Sequence, residues 1–254
     1  MSIQSFLKLG KVMAIPFMLA ACNNTVDLAE IEQPAEEVHP RLSFTCESST
    51  RSVVNAFDLG AQIGVYVTNS GTTSPYGGVS ANMNISYTLK GDDYWTTSYS
   101  TNLEATQADV YGYYPFQNGV TTGSVALQNG TDHLYTVVHS TINRNNPAAT
   151  IRLNHAMSLL KFDLDASLGN VARIRIRNLP VSGTLNVFTG SVTASTVLTN
   201  VDIYKDDLAL SEGFLAIPGY KMDIMVYTDK GSYVWKPETA TESGKQYNIT
   251  LSVQ

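Results

Sequence analysis

The chain has 254 residues, 43% hydrophobic and only 15% charged, with a formal net charge of −6. The apolar share is enough for a packed core and the low charge argues against disorder, while the acidic balance leaves no electrostatic footprint for nucleic acid or anionic lipid. Two cysteines exclude a disulfide-rich scaffold, and the abundance of Ser, Thr, Asn, Gly and Tyr argues against an all-helical protein.

Lys8 and Lys11 form a short basic stretch ahead of an uncharged apolar run at residues 12–21 (VMAIPFMLAA). Ten residues are too few to span a bilayer as a helix, and the pattern is that of a secretory signal. The run ends Leu19-Ala20-Ala21-Cys22, which resembles a bacterial lipobox, in which the cysteine is lipidated and becomes the new N-terminus. The plainer alternative is an ordinary signal peptide with a chance cysteine. Position, spacing and small residues favour residues 1–21 as a lipoprotein signal peptide with Cys22 as the lipid attachment site. Acyl chains on Cys22 then supply the membrane anchor, each buried CH₂ contributing about 0.8 kcal/mol. Residues 22–40 carry five acids, two prolines and no Lys or Arg, and read as an extended acidic tether. Cys46 is left without a partner in the folded part, and a small buried hydrophobe is its expected role.

Beyond residue 40 the pattern is period-2 alternation, the signature of half-buried strands. Leu42, Phe44 and Cys46 alternate with polar residues, as do Met83, Ile85, Tyr87 and Leu89. Ile63, Val65 and Val67 sit in IGVYV, and residues 133–139 (HLYTVVH) form a further β-rich run. In residues 173–177 (RIRIR), Ile174 and Ile176 face one way, and Arg173, Arg175 and Arg177 read as an exposed edge stripe. Residues 222–235 (MDIMVYTDKGSYVW) are the clearest hairpin in the chain. Tyr247, Ile249, Leu251 and Val253 alternate in a closing strand. A helical turn is expected, at most, around residues 102–108. About a dozen strands at roughly ten-residue spacing imply an all-β protein, and two β-sandwich domains in series fit the length. The polar, Pro-containing stretch at 143–150 divides them into residues 41–150 and 151–254.

Candidate chemistry is sparse. His39, His133, His139 and His155 make no pair at zinc spacing, and neither a serine-nucleophile elbow nor a phosphate loop occurs. Asp92-Asp93 and Asp206-Asp207 read as solvated turn residues. Tyr94, Trp95 and Trp235 could stack on a sugar ring, although aromatic side chains in sandwiches more often fill the core. No cofactor or metal is expected, and an enzyme is disfavoured.

Four segments resemble one family. Phe57-Asp58-Leu59-Gly60 with Gly64-Val65-Tyr66-Val67 is similar to the "F-x-x-G-D-x-I-G-V-Y" segment of the FimA/Mfa-like fimbrillins of Bacteroidales, with Ala61 where Asp is commoner. Residues 108–116 (ADVYGYYPF) resemble their "x-Y-x-Y-Y-P-[YF]" segment. Residues 153–162 (LNHAMSLLKF) resemble "H-A-[LM]-S-x-L-x-F", and residues 244–251 (GKQYNITL) resemble the closing "G-x-x-Y-x-I-x-L" strand. The resemblance implies two transthyretin-like Greek-key sandwiches in series and a role as a type V pilus (fimbria) subunit, located as a lipoprotein on the outer membrane and then in the fimbrium.

The resemblance also implies maturation by a trypsin-like protease that removes an N-terminal strand, so that a strand from another fimbrial subunit fills the groove. Cutting after Arg41 would leave Leu42, Phe44 and Cys46 in place, whereas cutting after Arg51 would release them with the tether. Arg51 is therefore the expected site and Arg41 the lesser one. If the strand from Tyr247 to Val253 completes its own sandwich, a tip position is implied; if it detaches, a stalk. Contact with a host or bacterial surface receptor is expected of an adhesive fimbria. The competing reading is an outer-membrane glycan-binding lipoprotein of Ig-like sandwiches.

Overall fold

A computed structural model describes residues 57–91, 94–136 and 138–252, together with the backbone of 41–46. Cys22, His39, Arg51, Asp92, Asp93, Val253 and the tether lie outside the described residues, as do the side chains of Leu42, Phe44 and Cys46.

Among the described residues the chain is almost entirely β. In chain order the strands are β1 (Arg41–Cys46), β2 (Gln62–Asn69), β3 (Ile85–Leu89), β4 (Trp95–Thr96), β5 (Ala108–Tyr114) and β6 (Ser124–Leu127). There follow β7 (Leu134–Thr136), β8 (Ser140–Ile142), β9 (Ala148–His155), β10 (Ser158–Leu164), β11 (Val171–Pro180) and β12 (Gly183–Asn186). The last are β13 (Val192–Ala194), β14 (Leu198–Tyr204), β15 (Phe214–Ala216), β16 (Asp223–Thr228), β17 (Gly231–Trp235) and β18 (Gln246–Leu251). One helical turn, Leu208–Ser211, precedes β15.

The largest sheet runs β1-β9-β7-β5-β2-β3-β4, with β8 also on β5. Both faces of its centre are covered. Ile63, Val65 and Val67 of β2 point into a first core with Val110, Ile151 and Leu153, while Tyr66, Tyr111 and Tyr113 point the other way. A strand buried on both faces reads as a continuous apolar run, which is why IGVYV shows little polar alternation. The outer face is covered by the small sheet β13-β12-β6, through Val125, Leu127 and Leu185. Farther along, sheet β15-β10-β18 packs on sheet β14-β11-β16-β17 around a core containing Ile174, Ile176, Ile224 and Ile249. The all-β sandwich expected from the alternation is what the chain forms.

Several local expectations change. Residues 102–107 form no helix; Leu103 fills the first core and β5 begins at residue 108. The run 133–139 is not one strand, since β7 ends at Thr136 and β8 begins at Ser140. β9 takes up residues 148–155, and its Ala149, Ile151 and Leu153 belong to the first core. The arginine stripe is not on an edge: β11 lies between β14 and β16. Arg175 grips Asp202 with two hydrogen bonds of 2.7 Å, Arg173 reaches the same carboxylate at 3.2 Å, and Arg177 meets Asp223 at 3.0 Å. The stripe is thus a set of cross-strand ion pairs on a solvated face. The β16–β17 hairpin forms as its alternation requires, pairing Ile224 with Trp235 through Thr228 with Gly231.

Candidate functional site at the terminal strands

Two edge strands flank one continuous ribbon. β9 and β10 follow each other with Ala156 and Met157 between them. β1 pairs with β9 in parallel, from Arg41 opposite Ala148 to Cys46 opposite Leu153. β18 pairs with β10, also in parallel, from Gln246 opposite Leu159 to Leu251 opposite Leu164. Among the described residues each of these two strands has one strand neighbour, so its other side is an open edge.

The β9 side of this arrangement is built from alternating residues. Ala149, Ile151 and Leu153 are buried in the first core, and the Ser140 hydroxyl hydrogen-bonds both the carbonyl and the N–H of Thr150 from the side away from β1. Farther along, Leu134, Tyr135 and Thr136 of β7 pair with His155, Asn154 and Leu153. β9 is therefore held on its inner side, and its outer backbone is covered by β1. Withdrawal of β1 would expose a row of N–H and C=O groups, each hydrogen bond contributing a net of about 1 kcal/mol.

The β18 side carries further ties. Ile249 and Leu251 are buried, the Leu159 N–H donates to the Lys245 carbonyl, and the Asp165 N–H donates to the Leu251 carbonyl. The Tyr247 hydroxyl accepts the Glu242 N–H at 2.8 Å.

The remaining sequence candidates separate. Trp95 is buried and packs edge-on against Phe57, 5.3 Å between ring centres, so it offers no sugar platform. Trp235 is 38% exposed on β17. Asp207 accepts the Tyr204 N–H at 2.7 Å in a turn, as expected. His139 stacks on Tyr111 and lies 3.7 Å from buried Asp109, whose carboxylate accepts the Ser70 and Thr141 hydroxyls and the Gly71 N–H. His155 is buried with its Nδ1 2.9 Å from the Asp132 carboxylate. His133 is also buried, which pushes its imidazole below the usual histidine range. Among the described residues no three His, Cys, Asp or Glu side chains gather as a metal site, and no helix is long and apolar enough to cross a membrane.

One feature carried no sequence signal. Phe188, just after β12, stands edge-on between Tyr66 and Tyr111 at 5.3 and 5.1 Å, locking the small sheet onto the large one. Its off-phase position after Leu185 and Val187 gave no sign of a buried contact.

Solved structures share this fold. A protein of Bacteroides uniformis named for cell adhesion aligns with a TM-score of 0.62 and 19% identity, over 83% of this chain and 93% of its own. A similarly named protein of Bacteroides ovatus gives 0.62 and 21%, over 87% and 94%. A fimbrial assembly protein of Parabacteroides distasonis gives 0.51 and 10%, over 82% and 89%. No curated protein matches in sequence. A family model described as fimbrillin-like matches residues 50–254, which takes in every described strand from β2 to β18. The chain belongs to the fimbrillin-like family.

Proposed function

We propose that the chain is a structural, non-enzymatic subunit of a surface fimbria that joins its neighbours by strand exchange along the outer edge of β9. In this reading residues 1–21 direct export, Cys22 carries the lipid that holds the protein at the outer membrane, and residues 22–40 hold the fold away from the surface. Cleavage after Arg51 releases β1. An alternating strand from another fimbrial subunit then covers the β9 backbone and the apolar positions that β1 had covered, which is β-augmentation.

The observation that carries the reading is the six-residue parallel pairing of β1 with β9, its one strand neighbour among the described residues, at the end of the largest sheet. Parallel pairs are slightly weaker per residue than antiparallel ones, so β1 is easier to displace than the antiparallel-paired strands of the same sheet. Arg41 is the first residue of β1, so a cut there would free the tether and leave the strand paired. Family membership supports the fimbrial assignment, and the adhesion names of the fold neighbours support a role in attachment. β18, the edge strand beside β10, is the segment that the emptied β9 edge of another copy would take up, as in a stalk; a subunit whose β18 stays seated accepts a strand and gives none, as at a tip.

Limited trypsin digestion of the purified chain tests this. The expected outcome is a ladder of oligomers on a denaturant-free gel, with an N-terminal sequence beginning at Ser52. Ladders built from uncut chains, or from chains beginning at Leu42, would overturn the reading.

A further inference from the structure

β17 and β18 are the last strands of the two sheets that enclose the second core, and both end the sandwich on the same side. Between them lies a cavity of about 430 Å³ with Leu160, Met222 and Ile249 as its apolar floor. Its walls are Trp235 and Tyr247, and its polar groups include Glu238, Thr241 and Asn248. A second cavity of about 300 Å³ continues along β18 past Tyr233 and Leu251. Trp235 lines both, so its side chain stands where they meet.

From this we infer that the larger cavity binds a neutral pyranose saccharide stacked on Trp235. The size is that of small-molecule sites, which run from about 300 to 1,000 Å³. The negative face of an indole attracts the weakly positive C–H face of a sugar ring, and Trp235 is far more exposed than Trp95. Around the ring the site offers what hydroxyls need. The Gln246 amide donates to the Asn248 side-chain oxygen at 2.8 Å, which leaves the Asn248 amide nitrogen and the Gln246 oxygen for a ligand. The Thr241 side chain is about nine-tenths buried, and its hydroxyl has no hydrogen-bond partner. A buried hydroxyl in that condition is costly unless something supplies the bond. No Lys or Arg lines the cavity, and Glu238 repels anions, so an acidic sugar is a poor fit. An extended peptide would use the same open edges, but a strand laid along β18 would meet the Trp235 side chain in its path.

Saturation-transfer NMR on the full chain tests the site, using glucose, galactose, mannose and N-acetylglucosamine, with N-acetylneuraminic acid as the anionic probe. At least one neutral sugar should receive saturable transfer on its ring protons, and N-acetylneuraminic acid should receive none. Trp235→Ala should weaken binding about tenfold or more, equivalent to about 1.4 kcal/mol. Asn248→Ala, at an exposed position on the rim, should weaken it without shifting the melting temperature. The inference is overturned if no neutral sugar binds, if Trp235→Ala and Asn248→Ala both bind like the parent, or if a peptide copying residues 246–252 occupies the groove and the sugars do not. Trypsin laddering is read separately, so failure here leaves the strand-exchange reading standing.

Discussion

The ring of Tyr113 occupies the space that a side chain at Gly64 would need. The two residues face each other across β5 and β2, and a Cβ built on Gly64 would lie 2.0 Å from Cε1 of the tyrosine. The ring is anchored at its far end, where the hydroxyl donates to Asn84 Oδ1 at 2.8 Å and accepts the Gln117 N–H at 3.0 Å. The glycine in GVY and the second tyrosine of YGYYP are thus two sides of one contact.

Gly64→Ala should therefore destabilise the protein by about 2–3 kcal/mol, at the upper end of overpacking costs. Urea denaturation would show a lowered midpoint with little change in slope. In a Tyr113→Ala background the same substitution should cost far less, because the ring it collides with is gone; the double-mutant cycle measures that coupling.

Phe188 supplies a second test of how the sheets are joined. Its ring lies edge-on to Tyr66 and Tyr111 and against Gly123, where a Cβ would come within 2.3 Å of Cε2. Phe188→Ala should cost about 2 kcal/mol, less than truncation of a fully buried aromatic because one side of the ring reaches solvent. Hydrogen exchange should rise first in β6, β12 and β13, which depend on this contact for their seat on the large sheet.

Much of this fold is legible as faces and little of it as partners. Ile174 and Ile176 point inward as RIRIR implies, and the turn at Asp229 and Lys230 closes the β16–β17 hairpin. Alternation says which side of a strand is wet, but it is silent on which strand lies alongside. Nothing in the alternation of residues 42–46 or 247–251 reveals that both pair in parallel with a single ribbon from residue 148 to 164. The same limit explains the arginines: an exposed face looks alike on an edge or a central strand, and the aspartates that pair with it come from β14 and β16. Trp95 and Trp235 are equally aromatic in sequence, and only burial against Phe57 separates a core residue from a surface one.

Strand exchange can be blocked covalently. Thr45 and Arg152 are register partners on β1 and β9. Paired strand positions lie within the Cα separation that a disulfide spans, about 4.4–6.8 Å. The double variant Thr45→Cys with Arg152→Cys, once oxidised, should be cut by trypsin yet form no ladder, because β1 stays tethered to β9. Reduction should restore laddering, and each single variant should behave like the parent.

The carboxylate of Asp202 is held below the usual range, chiefly by its hydrogen bonds from Arg175, with burial opposing and the charges of Arg173 and Arg175 assisting. A depressed carboxylate stabilises the fold above its unfolded value and loses that contribution as pH falls through the folded value. Asp202→Asn should lower stability at neutral pH, where it leaves two guanidinium groups side by side. The loss should be under about 1 kcal/mol, as for exposed pairs, and should shrink as salt rises. Parent and variant should converge in a pH series of thermal melts only once pH falls through the depressed folded value, below the ordinary carboxylate range.

His133 titrates in a different window. Burial disfavours its charged form and lowers its pKa, and the neighbouring Asp132 charge only partly offsets this. Between the folded value and the ordinary one of about 6.5, the unfolded chain binds more protons than the native one, so stability rises with pH there. The full contribution is present above about pH 6.5 and is lost as pH falls toward the folded value. In the native state the His133 Nε2 accepts the Gln128 N–H at 3.3 Å, an arrangement that protonation at that nitrogen would break. Urea midpoints should therefore fall between about pH 7.5 and about pH 5.5, ahead of any carboxylate titration. His133→Gln, whose side-chain oxygen can still accept the Gln128 N–H, should flatten that slope. An unchanged slope in the variant would assign the pH dependence to another group.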